Sequence, residues 1–230
     1  MTVVRILAAL LAALASALPL NCAAAPFTAR LGIERLVIDT PPGFTDTLDL
    51  ASPRLQDLAD ALTSASNRIL IFALSDADVK RFTLGDQIEA KRYMIAVTPK
   101  ALERERVTPE QFAALAAESL REFGKVPVAA DFLKYLDGRP QTKPNLLLEL
   151  KREPEVVSVL VGARLTPAVE KSFLREGKSA TYLFSTTTLM LIHGRALQLS
   201  VYAGYEAPGD LDWLKSTTER WIGDLQRLNR

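Results

Sequence analysis

The sequence predicts an α+β domain, a mainly antiparallel β-sheet flanked by helices, and three observations carry that reading. Two long strand-type segments, KSATYLFSTTTLMLIHG (residues 178–194) and RALQLSVYAGYE (195–206), meet at a tight His193-Gly194 turn. An amphipathic helix follows them and runs almost to the terminus. Earlier in the chain, further strand segments alternate with helices that carry their own start signals. Strands joined by hairpins pair antiparallel, and a helix with an apolar stripe needs a sheet face to bury it on.

The first strand of the terminal hairpin is rich in Thr, Tyr, Phe and Ile, which suit a pleated, half-buried surface. The second alternates. Leu197, Leu199, Val201 and Ala203 share one face while Gln198, Ser200 and Tyr202 take the other, because strand side chains repeat every two residues. Beyond the turn Glu206-Ala207-Pro208-Gly209, Asp210 is expected to cap a helix. Leu211, Leu214, Thr218, Trp221, Ile222, Leu225 and Leu228 then fall at helical spacing.

Residues 1–25 read as a secretory leader: Arg5, the apolar run ILAALLAALASALPL (6–20), then the small residues Cys22 to Ala25. The run is shorter than the roughly 20 residues a spanning helix needs, and Pro19 interrupts it. Cys22 is the only cysteine, and Asn21 before it departs from the lipoprotein pattern, so a lipidated N-terminus is the lesser alternative. Removing the leader takes Arg5 from 28 basic residues and leaves 27 against 27 acidic ones. That balance argues against a nucleic-acid surface, and no stable membrane insertion is expected after leader removal. No composition break divides residues 26–230, which are read as one domain.

Along the mature chain, Leu36, Val37 and Ile38 form an expected first strand, stopped by Pro41-Pro42-Gly43. Ser52-Pro53 opens a helix with Leu55, Leu58, Ala59, Leu62 and Ala65 on its apolar face. Residues 68–74 and 92–97 read as strands, the first covered on both faces, and the polar stretch between them as an exposed connection with one helical turn. Thr108 and Gln111 are spaced as a capping box for a helix burying Phe112, Leu115, Ala116, Leu120 and Phe123. A short helix over 129–136 is expected before strands at 145–151 and 155–165, which meet at Pro154. Residues 166–176 read as a helix or an ordered loop.

This order of pieces resembles the Mog/PsbP-like fold, including its bacterial DcrB-like envelope members. The likeness is carried by LVIDTPPGF (36–44), the strand pair 69–74 and 93–97, and RALQLSVYAGYE followed by DLDWLKSTTERWIGDL. It implies an α/β/α sandwich in which a strand with a late Tyr leads into a last helix packed on the sheet. The stretch 129–154 and the helix after Pro53 depart from that pattern, and no functional residue transfers through it.

Chemistry-bearing residues are sparse. His193 is the sole histidine, and its place before Gly194 suits a turn better than a general base. Asp76 and Asp78 have the spacing of a cation pair, yet short acidic side chains at such a place cap helix starts. Glu103 to Arg106 alternate in sign and read as a solvated surface. Gly177-Lys178-Ser179 lacks the earlier glycine of a phosphate loop, since Ser172 stands there. Tyr182, Tyr202, Tyr205 and Trp213 are the expected lining of a binding groove. The leading expectation is an exported envelope protein that binds another protein or a small molecule without catalysis and without a cofactor. The alternatives are a periplasmic enzyme working through cleft carboxylates such as Asp76 and Asp78, and a membrane-tethered lipoprotein.

Overall fold

The computed structural model describes residues 26–128, 131–166 and 181–230, and among these described residues there are nine strands and five α-helices. The leader, Cys22 and Gly177-Lys178-Ser179 lie outside the described residues, as do Ala129, Ala130 and residues 167–176. Strands β1 (Phe27–Leu31) and β2 (Glu34–Ile38) form a separate antiparallel hairpin. Strands β3 (Phe44–Asp46), β4 (Asn67–Ser75), β5 (Arg92–Pro99), β6 (Asn145–Glu153), β7 (Val156–Arg164), β8 (Tyr182–Ile192) and β9 (Arg195–Gly204) form one sheet in the order β3-β4-β5-β9-β8-β7-β6. Every neighbouring pair in it is antiparallel. The β5–β9 pairing, from Arg92↔Ala203 to Val97↔Gln198, is the non-local step that joins an N-terminal meander to a C-terminal one.

Helices α1 (Pro53–Ala61), α2 (Asp76–Thr83), α3 (Pro109–Arg121), α4 (Phe132–Asp137) and α5 (Gly209–Leu228) cover both faces. Strand alternation decides which residues meet which helix. Leu197, Leu199, Val201 and Ala203 share a core with Leu214, Trp221, Ile222 and Leu225 of α5, Leu136 of α4, and Leu31, Leu36 and Ile38 of the β1–β2 hairpin. On the opposite face, Leu55 and Ala59 of α1 pack with Phe72, Tyr93, Ile95 and Val97, and Phe112, Ala116 and Leu120 of α3 pack with Val157, Val159 and Val161. The hydroxyls buried beneath α5 satisfy one another: Thr186 with Thr218 at 2.6 Å and Ser158 with Thr188 at 2.7 Å. Such pairing is what lets polar side chains sit inside a core without a desolvation penalty.

The terminal hairpin turns as its residues require. His193 at φ 51° and Gly194 at φ 74° are both left-handed, as a two-residue hairpin turn demands. The Thr108–Gln111 capping box closes in both directions at the start of α3. Thr108→Ala removes its side-chain half and is expected to cost about 1 kcal/mol. Urea unfolding checks this as a lower midpoint with an unchanged m-value.

Several local expectations need correction. Asp210 is not the N-cap of α5: Pro208 already has helical angles and the helix begins at Gly209, so Asp210 lies inside the first turn. Leu115 is 37% exposed, because α3 presents only one side to the sheet. The connection after β4 holds more than one turn, since the hydroxyl of Ser75 accepts from the Asp78 backbone and starts the eight-residue α2. Strands β1 and β3 precede and follow the strand expected at 36–38, and that strand belongs to the small hairpin rather than to the main sheet.

Candidate functional site

Antiparallel order brings the end of β4, the start of β5 and the end of β9 to one edge of the sheet, with Leu74↔Tyr93 and Arg92↔Ala203 in register. Helices α2 and α5 begin there, directly after β4 and shortly after β9. Between them opens a cleft of about 310 Å³ lined by Ser75, Asp78, Arg81, Glu89, Lys91, Arg92, Gly204, Glu206 and Asp210 among others. Two helix N-termini add positive potential to that edge, and Asp76, Asp78, Asp210 and Asp212 fill their first turns.

Arg92 and Asp210 form the centre. Arg92 Nη2 donates to Asp210 Oδ1 at 2.7 Å, and its guanidinium lies 4.2 Å from the Trp213 ring centroid. Trp213 in turn meets Phe44 at 5.9 Å. Ion pair and cation–π contact together fix the guanidinium in one place. The other oxygen of Asp210 accepts from the backbone N–H groups of Glu206 and Ala207, both at 2.9 Å, and so clamps the turn before α5. Burial alone would raise the Asp210 pKa, but the bonds from Arg92 and those two amides outweigh it and hold the carboxyl below its ordinary value.

That depression has a definite pH consequence. A carboxylate whose folded pKa is lowered contributes stability above its unfolded value of 3.8, and the contribution disappears as pH falls through the lower folded value. Asp210→Asn is therefore expected to cost about 1 kcal/mol at neutral pH. The gap to the parent should close on acidification below the ordinary carboxylate range, as thermal melts across pH will show.

The remaining charges around the cleft are paired. Lys91 Nζ meets Glu206 Oε1 at 2.7 Å, and Arg81 pairs with Glu89. Asp78 is committed through both oxygens, one accepting from the Glu89 amide at 2.7 Å and the other from the Ser75 hydroxyl at 2.9 Å. Asp76 accepts from the Thr45 hydroxyl at 2.7 Å. Ala90, between Glu89 and Lys91, takes φ 47°, a left-handed conformation that costs a non-glycine residue about 1 kcal/mol or more. Local strain of this kind concentrates at functional edges.

The four aromatic residues expected to line a groove are only partly brought together. Tyr182 and Tyr205 meet edge-to-face at 6.5 Å, Tyr205 also meets Phe184 at 5.3 Å, and Trp213 stands one turn into α5 beside the cleft. Tyr202 points to the other face of the sheet and stacks on Tyr93 at 4.5 Å. Burial raises the pKa of both Tyr93 and Tyr202. The hydrogen bond from the Tyr182 hydroxyl to Asp137, at 2.6 Å, raises that of Tyr182. His193 lies in the β8–β9 turn, away from the cleft. Sequence reasoning missed Arg81, Glu89, Lys91, Arg92 and Glu206. The available signal was the charged run Glu89-Ala90-Lys91-Arg92 immediately before a strand.

Fold and site together define an α+β domain with a small charged cleft at one end of an antiparallel sheet. A scan against protein-family models and a search of curated proteins find no match to the chain. Among the described residues, no helix is long and apolar enough to cross a membrane.

Proposed function

We propose that this protein is an exported bacterial envelope protein that acts as a non-catalytic binding module, holding a small ligand of mixed charge in the cleft between α2 and α5. The leader-type sequence over residues 1–25 supports export, and the resemblance to Mog/PsbP-like and DcrB-like proteins supports an accessory role in the envelope. The observation that carries the binding reading is the state of the Asp210 carboxylate. Three donors keep it ionised and fixed, with Arg92 locked against Trp213, which suits charge recognition rather than proton transfer. Asp76 and Asp78 are likewise occupied by local hydrogen bonds, which counts against their use as acid and base.

A cleft of about 310 Å³ with cations and anions side by side matches an amino-acid-sized zwitterion. Its carboxylate would exchange into the Arg92 and Lys91 pairs and its ammonium into Glu206. Titrating the protein with a panel of amino acids and dipeptides, read by amide NMR, is expected to give saturable shifts at Lys91, Arg92, Gly204 and Glu206. Arg92→Ala should abolish them. A panel that moves none of these amides, or shifts that survive Arg92→Ala, would overturn the assignment. Intact mass of the envelope-fraction protein tests export: loss of the leader is expected, and a full-length or acylated chain contradicts it.

A further inference from the structure

The end of the molecule opposite the cleft carries an unbalanced charge. Among the described residues, Arg30, Arg35, Arg68, Arg104, Arg106 and Arg195 gather there around the β1–β2 and β8–β9 turns with Glu34, Glu103 and Glu105, and with Glu118, which pairs with Arg121, beside Arg106. Among the described residues, Arg68 with Glu103 is the one ion pair in that group. Arg195 is the anomaly. It is 4% exposed, its Nη1 donates to the Glu105 carbonyl at 2.5 Å, and its Nε has no partner. A guanidinium stays charged at any working pH, and a buried charge without a counter-ion is strongly disfavoured.

The surroundings suit an incoming anion. A Cβ at Gly32, which has φ +59°, would stand 3.2 Å from both Arg195 Nη2 and Arg104 Cα, and one at Gly194 would stand 2.9 Å from Arg106 Cγ. Two glycine turns thus bring the backbone of the exposed Arg104 beside the buried Arg195 fork and the stem of the exposed Arg106 against the turn that precedes it. A buried arginine with a free Nε, beside a loop that carries two further arginines, offers more donors than a two-oxygen carboxylate can use and suits a group with three or four acceptor oxygens.

We propose that this end binds a phosphate-class oxyanion, with Arg195 as the buried anchor and Arg104 and Arg106 closing over it. The site is independent of the cleft, lying at the other end of the ten-residue strand β9, about 30 Å away. Free phosphate and a phospholipid headgroup offer the same chemistry. Ile33, 84% exposed at the tip of the β1–β2 hairpin, would enter the acyl boundary in the second case.

The test compares inorganic phosphate with chloride at constant ionic strength by calorimetry and thermal melts, and anionic phosphatidylglycerol with phosphatidylcholine vesicles by sedimentation. Phosphate is expected to bind saturably and raise Tm, or the anionic vesicles to carry the protein down. Arg104→Ala with Arg106→Ala should weaken either interaction at least tenfold while leaving the Tm in chloride unchanged. Arg195→Lys, which keeps the charge and loses the fork, should weaken it similarly. Vesicle binding that also needs Ile33, lost in Ile33→Ser, assigns a headgroup; phosphate binding without vesicle preference assigns the free ion. Neither interaction, or one indifferent to the arginine substitutions, overturns the site.

Discussion

Replacing Trp221 by alanine is expected to destabilise the protein by about 3–5 kcal/mol, a shift of the order of 10 °C in Tm for a domain of this size. Trp221 is 1% exposed in the core shared by α5, the sheet and the β1–β2 hairpin. Its indole N–H donates to the Asp39 carbonyl at 2.7 Å, just after β2. Alanine would leave a large cavity and an unsatisfied carbonyl at a junction of three elements. Phenylalanine separates the two losses, since it keeps most of the apolar contact and should cost about 1–2 kcal/mol. Asn229 makes the same junction from the end of α5, its side chain accepting from the Val37 amide and donating to the Val37 carbonyl, both at 2.8 Å. Chemical denaturation of the two variants should therefore rank alanine well below phenylalanine. Equal effects would mean that the hydrogen bond rather than packing holds the helix down.

Gly162→Ala is the second large effect, and its sign is the informative part. Alanine in a strand normally stabilises slightly by restricting the unfolded chain. At Gly162 a Cβ would lie 2.7 Å from Leu147 Cδ1, 2.9 Å from Leu136 Cδ1 and 3.0 Å from Phe184 Cε1. All three side chains are buried, so none has free volume to retreat into. The bare backbone of β7 is what lets Leu136 seat the short α4 against the sheet. Overpacking should cost about 2 kcal/mol net. Gly223 in the exposed middle of α5 is the control, because nothing lies within 4 Å of its Cβ position. Gly223→Ala is expected to stabilise by about 1 kcal/mol. Opposite signs in one set of urea melts would confirm that α4 packs closely on β7. A neutral Gly162→Ala would place Leu136 elsewhere.

Much of this architecture was legible because it follows from local patterns. The period-two alternation of β9, the positive-φ demand at His193-Gly194 and the helical spacing from Leu211 to Leu225 each name a buried face without outside help. Strands β1 and β3 escaped notice because five and three residues are too few to establish an alternation, and β3 is defined mainly by main-chain pairing to β4. Asp210 sits inside the first turn rather than at the cap because Pro208 already takes helical angles, and its role at the cleft was hidden because Arg92 is 118 residues away. The Lys91–Glu206 pair likewise joins segments far apart in the chain, whereas Arg81–Glu89 links α2 to the loop that follows it. Tyr202 could have been separated from Tyr205 by alternation alone, since it falls between Val201 and Ala203 and must face away from them.

The cleft, its fixed Asp210 and the covered core all depend on α5 lying flat on the sheet, and one proton reports on that directly. Hydrogen exchange of the Trp221 indole N–H under native conditions, assigned by Trp221→Phe, is expected to proceed only through global unfolding and to match the stability from urea melts. Exchange at the rate of a free indole would show that the helix does not rest on the sheet, and the site built on its first turn would fall with it.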